Sequence, residues 1–331
     1  MAAFERTILV TGGAGYIGSH ACKALAVAGY VPVTFDNLST GWRDSVKFGP
    51  FEEGDLLDRT RLDEVFERHN PTAVMHFAAH SQVGESMAEP GKYWRNNVIG
   101  SLNLAEAAVS AGCRKFIFSS TCATYGEHDN VVLDEDCPQQ PTNPYGASKL
   151  AVEHILAGFA GSDGLRNVVF RYFNVAGADP EAEIGEFHRP ETHLIPLALD
   201  VVRGKREQLV IYGDDYPTPD GTCIRDYVHV KDLVAGHLAG LEHLENGGTS
   251  RAFNLGTGHG FSVKDVVNQI EFQTGRKLLI SVGPPRPGDC SRLVSGSTRA
   301  SKELGWQPKH SDMKTMIADA LRWHQMPGYE R

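Results

Sequence analysis

The sequence predicts an α/β protein built on a doubly wound parallel sheet, joined to a smaller mixed α/β unit. Short apolar runs alternate with helical patterns about every 30 residues in the first half of the chain. A glycine-rich loop connects the first apolar run to the first helical pattern. After Asn174 the alternation gives way to polar loops and Gly/Pro-rich segments, which indicates a second unit.

The first half is predicted as six strands and four helices. Residues 6–11 (RTILVT) form an apolar run typical of a buried strand, and residues 15–28 carry a helical pattern that stops at Gly29. The other strands are predicted at 31–36, 51–54, 73–77, 115–119 and 167–172, and the other helices at 58–69, 91–111 and 144–159. Gly112 ends the third helix and Pro144 begins the fourth.

The second half of the chain has a different sequence pattern. Residues 177–192 are polar, contain two prolines and are predicted to form a long loop, a kind of segment that is usually functional in a compact domain. Later helices are predicted at 194–203, 230–243, 262–273 and 311–324. We therefore expect two domains, residues 1–175 and 176–331, with residues 228–256 as a segment that can return to the first sheet.

The amino-acid composition argues against several classes of function. The 331 residues include 32 Lys and Arg against 41 Asp and Glu, a net charge of −9, so nonspecific nucleic-acid binding is not expected. Glycine is abundant, with 35 residues, as in chains with many close backbone approaches. The six cysteines lack a CxxC pair, so neither a zinc site nor a disulfide framework is expected. Without a long apolar stretch, no membrane segment is expected, and the cytoplasm is the expected location.

The glycine-rich loop has the spacing Gly12-x-x-Gly15-x-x-Gly18 between the first strand and the first helix. Such glycines allow a tight turn, close approach of the backbone to a pyrophosphate, and close helix–strand packing, while the helix N-terminus favours an anion. Asp36 ends the second strand, where a carboxylate accepts hydrogen bonds from a ribose and repels a 2′-phosphate. The sequence therefore predicts a dinucleotide site that favours NAD over NADP.

A second motif suggests acid–base chemistry. Tyr145 and Lys149 are four residues apart and so share one face of the helix that starts at Pro144. A phenol has a pKa near 10, and a nearby ammonium together with a nicotinamide cation would lower it. Thr121 follows the fifth strand, and its hydroxyl is placed to hydrogen-bond a reacting oxygen.

The strings TGGAGYIGSH, HFAAHSQVGES, FSSTCATYG, NPYGASKL and RDYVHV together resemble the UDP-glucose 4-epimerase (UDP-galactose 4-epimerase) family of extended short-chain dehydrogenases/reductases. The resemblance runs from about Thr7 to Trp323. It implies a Rossmann-type, NAD-binding domain at 1–175, a UDP-sugar-binding domain at 176–331, a homodimer and no membrane partner. In this family Tyr145 takes the proton of the sugar 4-hydroxyl while C4 gives hydride to NAD, and Thr121 steadies that oxygen. The keto sugar then rotates and takes the hydride back on its other face.

The resemblance also implies roles for individual residues. The cofactor-binding positions are Gly12, Gly15, Tyr16, Ile17, Gly18, Asp36, Asn37, Asp55, Leu56, Phe77, Ala78, Ala79, Asn96, Tyr145, Lys149 and Tyr172. The substrate-binding positions are Thr121, Tyr145, Asn174, His193, Leu194, Val210, Tyr212, Arg225, Tyr227, Arg286, Asp289 and Leu293. Asn174, Arg225 and Arg286 are expected at the diphosphate, which suits the fork of an arginine.

Three positions depart from the family pattern. Ser81 stands where many members have a lysine that reaches the cofactor, and His193 stands where an asparagine often contacts the nucleotide sugar. Leu293 occupies a pocket position where tyrosine is associated with the exclusion of N-acetyl sugars, so tolerance of UDP-N-acetylhexosamines is slightly favoured.

Alternatives remain at this stage. UDP-pentoses or UDP-N-acetylglucosamine are alternative substrates, since the chemistry at C4 is the same. A nucleotide-sugar dehydratase or decarboxylase is disfavoured because Cys122 and Ala123, not carboxylates, follow Thr121. A non-catalytic nucleotide-sensing protein would lose the Tyr145/Lys149 pair, which is present. Glu186, His188 and His193 share a loop but lack HExxH spacing, so no metal site is expected.

Overall fold

The computed structural model describes residues 6–128, 132–286 and 289–326. Its strands are β1 Thr7–Thr11, β2 Val31–Asp36, β3 Phe51–Glu53, β4 Ala73–His76, β5 Lys115–Ser119, β6 Arg166–Arg171, β7 Asn174–Ala176, β8 Leu209–Tyr212, β9 Ile224–His229, β10 Arg251–Asn254, β11 Gly260–Ser262, β12 Ile280–Gly283 and β13 Arg292–Leu293. Its helices are α1 Tyr16–Val27, α2 Arg59–His69, α3 Val83–Ala88, α4 Pro90–Tyr93, α5 Gly100–Ser110, α6 Pro144–Asp163, α7 Leu194–Val202, α8 Val230–Glu245, α9 Val263–Thr274, α10 Thr298–Leu304 and α11 Met313–His324.

Seven of these strands form one parallel sheet in the order β10-β6-β5-β4-β1-β2-β3. In β1, Ile8 and Val10 belong to one buried apolar cluster and Leu9 to another, because successive side chains point to opposite faces. Both faces are therefore covered, as a parallel sheet requires. The predicted doubly wound α/β fold is confirmed.

The sheet order places a topological switch point beside β1. From β1 the chain crosses to β2 and β3 on one side, and then returns to β4 and β5 on the other side. In such sheets, ligands bind in the crevice outside the carboxyl ends of the strands at that point. The segments that leave β1 and β4 are therefore the natural place for a cofactor.

The helix predicted at 91–111 is interrupted. It begins as α4, continues through a π-helical segment at Trp94–Ile99 and becomes regular in α5. Such segments often occur at functional sites. The buried Asn97 lies in this segment, and its side chain accepts a hydrogen bond from the His80 amide and donates to the Ser148 hydroxyl, at 2.9 and 3.1 Å. The π segment is thereby joined to the chain after β4 and to α6.

The second half builds a separate core. Strand β9 pairs with β7, β11 and β13, while β8 and β12 form a two-stranded sheet. Helices α7, α9 and α11 pack together around Leu199, Ile270 and Ile317. The segment 228–256 supplies α8 and β10, the edge strand beside β6. None of the helices in the described ranges is long and apolar enough to cross a bilayer.

Candidate functional site

The glycine loop after β1 has no room for a side chain at Gly12 or Gly18. Gly12 has a φ of +73°, and a Cβ there would lie 2.6 Å from the amide nitrogen of Ala78. A Cβ on Gly18 would lie 2.1 Å from the carbonyl oxygen of Gly12. Gly15 precedes α1 without a side-chain cap, so the first amides of α1 remain available to an anion. This cradle at the switch point fits a dinucleotide pyrophosphate.

Asp36 lies at the end of β2 beside this cradle and is 8% exposed. Its two oxygens accept hydrogen bonds from the amides of Ala14 and Leu38 at 3.0 and 2.8 Å. Burial raises the pKa of the carboxyl, and these amide donors act against that rise. The loop thus fixes a buried acceptor where an adenosine ribose would lie.

The remaining predicted cofactor positions surround the same edge of the sheet. Phe77, Ala78 and Ala79 leave β4, and Ala78 closes against Gly12. Asn37 donates to Asp55 at 2.8 Å, and Leu56 is buried just after Asp55. Tyr16 and Ile17 open α1, Asn96 lies in the π segment, and Tyr172 follows β6.

Thr121 and Tyr145 meet beside the end of β5. Strand β5 ends at Ser119, and Thr121 follows two residues later. Tyr145 is the second residue of α6. The Thr121 hydroxyl lies close enough to the Tyr145 hydroxyl to act on its pKa, and the Tyr145 ring packs edge-on against Tyr93 with centroids 6.4 Å apart. Helix α6 is held at this point by Asn143, whose side chain accepts from the Gly146 amide at 2.9 Å.

Lys149 is deeply buried, with 4% of its surface exposed. Its Nζ donates to the carbonyl oxygen of Ser119 at 2.8 Å and lies 4.8 Å from the centre of the Phe118 ring. Burial lowers the pKa of the Lys149 ammonium to about 7, while Glu153 acts in the opposite direction.

Burial has the largest effect on the pKa of Tyr145 in the protein alone. Burial raises the pKa of its hydroxyl to about 12, although the hydrogen bond with Thr121 acts to lower it. The protein groups alone therefore do not favour the phenolate. Burial of the Tyr145 hydroxyl is the main cause, and the Lys149 ammonium, which donates to the Ser119 carbonyl, is not among the groups that act on this pKa.

Ser119 is a site residue that the sequence analysis missed. Besides accepting from Lys149 through its carbonyl oxygen, Ser119 has a hydroxyl that acts to lower the pKa of Tyr172, and its Oγ lies 2.7 Å from Nε2 of His237. His237 is neutral because burial lowers its pKa to about 4, and its Nδ1 donates to the Leu233 carbonyl. Nε2 must then accept from the Ser119 hydroxyl. A backbone carbonyl and a distant histidine leave no motif in the sequence that would reveal this arrangement.

The predicted diphosphate and uridine residues gather around β9. Arg225 stands opposite Leu293 of β13, and Tyr227 stands opposite Asn174 of β7. Arg225 is 9% exposed and forms an ion pair with Asp289. The structure thus brings together five predicted substrate residues from three separate stretches of the chain, and it pairs Arg225 with Asp289.

The other predicted substrate residues form two groups. Val210 and Tyr212 lie on β8, and the Arg286 guanidinium lies 4.2 Å from the centre of the Tyr212 ring. His193 and Leu194 lie at the start of α7. Although burial opposes it, the carboxylates of Glu186 and Glu191 raise the pKa of His193.

Similarity to known proteins agrees with this geometry. Residues 8–256 match the model of the NAD dependent epimerase/dehydratase family. A UDP-glucose 4-epimerase of Rhizobium meliloti (strain 1021) is 50% identical over 320 residues, which is 97% of each chain. The crystal structure of UDP-glucose 4-epimerase from Brucella ovis in complex with NAD is 48% identical, with a TM-score of 0.93 over 96% of this chain and 98% of that one. The enzyme from Bifidobacterium longum in complex with NAD+ and UDP is 36% identical, with a TM-score of 0.92 and the same coverages.

Proposed function

This chain belongs to the NAD dependent epimerase/dehydratase family, and we propose that it interconverts UDP-glucose and UDP-galactose by way of NAD. The reaction is an isomerisation, as the sequence predicted, and the predicted cofactor is confirmed by the family and by the NAD complexes of its relatives. The observation that carries the proposal is the approach of the Thr121 and Tyr145 side chains to each other at the start of α6, beside a switch point that holds a glycine cradle.

The residues of the cradle fit NAD. Gly12 and Gly18 keep the pyrophosphate region free of Cβ atoms, and Asp36 supplies a buried acceptor for a ribose while repelling a 2′-phosphate. When bound, NAD supplies the hydride acceptor and donor for C4. We assign Lys149 and Tyr172 to the same cofactor site, because Ser119 accepts a hydrogen bond from Lys149 and its hydroxyl acts on the pKa of Tyr172.

We assign the proton transfer to Tyr145. Its oxygen takes the proton of the sugar 4-hydroxyl and later returns it, while the Thr121 hydroxyl holds that sugar oxygen in line. With a pKa of about 12, the phenol is a poor base in the protein alone. Bound NAD would add a positive charge near Tyr145 and Lys149, and a positive charge there favours the phenolate that accepts the proton.

We assign the anchoring of UDP to Arg225, Arg286 and Asn174. Arg225 is buried and paired with Asp289, so its guanidinium is already oriented before a diphosphate arrives. Epimerisation requires a ketosugar that can turn over while its nucleotide stays in place. A binding site with its charged groups at the diphosphate and uridine meets this requirement, since the hexose is then held by fewer contacts.

Leu293 bears on which UDP-sugars the site accepts. Leu293 is half-buried beside Arg225, and as a leucine it is smaller than the tyrosine associated with exclusion of N-acetyl groups. A panel of UDP-galactose, UDP-N-acetylgalactosamine and UDP-arabinose, assayed for C4 inversion, tests the assignment. The proposal requires inversion of UDP-galactose. If the protein inverted C4 only in the pentose or only in the N-acetyl sugar, that alternative substrate would replace UDP-galactose in the proposal.

We also propose that the two halves of the chain bind different ligands. The division at residue 175 assigns NAD to residues 1–175 and the UDP-sugar to residues 176–331. The separate apolar core of α7, α9 and α11 supports this assignment. A cytoplasmic location is proposed from the cysteines, all six of which are free thiols.

A homodimer is proposed through the surface formed by the π segment, α5 and α6. Trp94 and Ile99 are 42% and 47% exposed there, although both are large and apolar. In the resembling family, the helices at these positions pair with those of a second subunit into a four-helix bundle. Burial of such side chains against a second copy would remove their apolar surface from water.

Replacement of Ile99 by glutamate is expected to convert the dimer to a monomer, because a carboxylate would be buried without a partner. Sedimentation velocity measures the change. The control is Phe272→Glu on α9, where an apolar side chain is 80% exposed on a different surface. The control should stay dimeric. A monomeric parent protein, or a dimer that survives the Ile99 substitution, would remove this surface from the proposal.

A further inference from the structure

Four side chains in the loop before α7 converge on one point. Glu186, His188, Glu191 and His193 each offer one nitrogen or oxygen atom, and all four atoms lie within 4.8 Å of one another. Their spacing along the chain matches no common metal-binding motif, which is why the sequence predicts no metal there. The convergence depends on the path of the loop and becomes visible only in three dimensions.

The distances suit a small cation. Nδ1 of His193 lies 3.0 Å from Glu186 and 2.8 Å from Glu191, and Nδ1 of His188 lies 3.4 and 3.8 Å from oxygens of the same two glutamates. Ligands about 2.0–2.2 Å from a tetrahedral zinc ion stand roughly 3.4 Å apart. Each histidine nitrogen thus faces both carboxylates at about the spacing of neighbouring ligands.

Hydrogen bonds alone do not satisfy this group. An imidazole Nδ1 carries at most one N–H, so it cannot serve two carboxylates fully. The buried Nδ1 of His188 and Oε2 of Glu191 form no hydrogen bond within the part of the chain that the structure describes. A divalent cation would satisfy all four atoms together and would cancel the two carboxylate charges.

The loop is held in place by contacts outside the cluster. The indole of Trp42 donates to the Phe187 carbonyl at 3.0 Å, and the indole of Trp323 donates to the Glu186 carbonyl at 2.9 Å. Gly185 lies against Trp323, where a Cβ would come within 2.4 Å of the ring. Two tryptophans therefore fix the backbone that carries the cluster, which is the support that a preformed site needs.

We propose that Glu186, His188, Glu191 and His193 bind one divalent transition-metal ion of the zinc class. Two imidazole nitrogens and two carboxylates suit such an ion, whereas Mg²⁺ and Ca²⁺ prefer ligand sets made of oxygen. Four protein ligands leave no open coordination position, so the role of the metal is structural. The ion would fix His193 and, through it, Leu194 at the start of α7. This positioning role rests on the proposed UDP site, but the binding of metal does not.

Cobalt binding tests the site directly, with Co²⁺ as a coloured substitute for Zn²⁺. Untagged protein with its NAD is freed of metal with a chelator and titrated with Co²⁺. We expect one equivalent to bind with the visible absorption of a four-coordinate ion, and one equivalent of Zn²⁺ to displace it. His188→Ala/Glu191→Gln is expected to lose this absorption. The matched control, His259→Ala/Glu67→Gln, changes two exposed residues outside the cluster and should keep it.

Absence of stoichiometric Co²⁺ binding, or an absorption that persists in the His188/Glu191 variant, would overturn the metal site whether or not the protein epimerises UDP-sugars. The positioning role has its own measurement, the KM for UDP-galactose. Zinc is expected to lower this KM several-fold in the parent protein and to leave it unchanged in the variant. Equal KM values with and without zinc in the parent would overturn that role.

Discussion

Tyr145→Phe is expected to lower the turnover of UDP-galactose by at least about 10², because it removes the only oxygen assigned to the proton transfer. The ring should stay in its edge-on contact with Tyr93, so the fold and the affinity for UDP should change little. Steady-state kinetics and calorimetric titration with UDP measure the two quantities separately.

Tyr93→Phe is the matched control for this substitution. Tyr93 is fully buried next to Tyr145, and its hydroxyl bonds to Gln82 and Glu85 at 2.6 and 2.8 Å. Its loss should reduce stability, since the hydrogen bond that the hydroxyl shares between these two acceptors disappears, but turnover should remain of the same order. If Tyr145→Phe kept the parent turnover, Tyr145 could not be the base.

Gly18→Ala is expected to weaken the retention of NAD. The new Cβ would lie 2.1 Å from the Gly12 carbonyl oxygen and 2.8 Å from the Gly13 Cα, both of which are backbone atoms. Overpacking costs about 1–3 kcal/mol even where side chains can adjust. Since about 1.4 kcal/mol is a tenfold change in affinity, NAD binding should weaken by more than about tenfold. The NAD released from purified protein by denaturation measures the effect.

Gly161→Ala provides the comparison. Gly161 lies in α6, where a Cβ would meet nothing within 4 Å. Alanine is favoured over glycine in a helix by about 1 kcal/mol, so this variant should bind NAD normally and be slightly more stable. Normal NAD content in Gly18→Ala would show that the loop after β1 does not hold the cofactor.

Local patterns predicted the central sheet well. The apolar run RTILVT became β1, and the helix predicted to start at Pro144 became α6, because burial and capping act on neighbouring residues. Short elements without periodicity were missed, such as α3, α10 and the two-residue β13. Their formation depends on distant partners: Arg292 and Leu293, for instance, are extended only because β9 offers them hydrogen bonds.

The candidate site also combines features that are local in the sequence with features that depend on distant residues. The glycine spacing and the Tyr145/Lys149 spacing are local, and both were read from the chain. The Arg225–Asp289 ion pair joins residues 64 positions apart, and the bond from Lys149 ends on a carbonyl that every residue possesses. The raised pKa of Tyr145 reflects its burial, which depends on the packing around it. Motifs therefore identify the chemistry, while the electrostatic state of the groups requires the fold.

The central claim is that hydrogen leaves C4 of the sugar and returns to the same carbon through NAD that the protein already holds. Its most direct test is the incubation of purified protein with UDP-galactose in D₂O, without added dinucleotide, followed by proton NMR. We predict formation of UDP-glucose that carries no deuterium at C4, because the returning hydride never exchanges with solvent. Deuterium at C4, or no UDP-glucose from protein that contains intact NAD, would contradict the proposed mechanism.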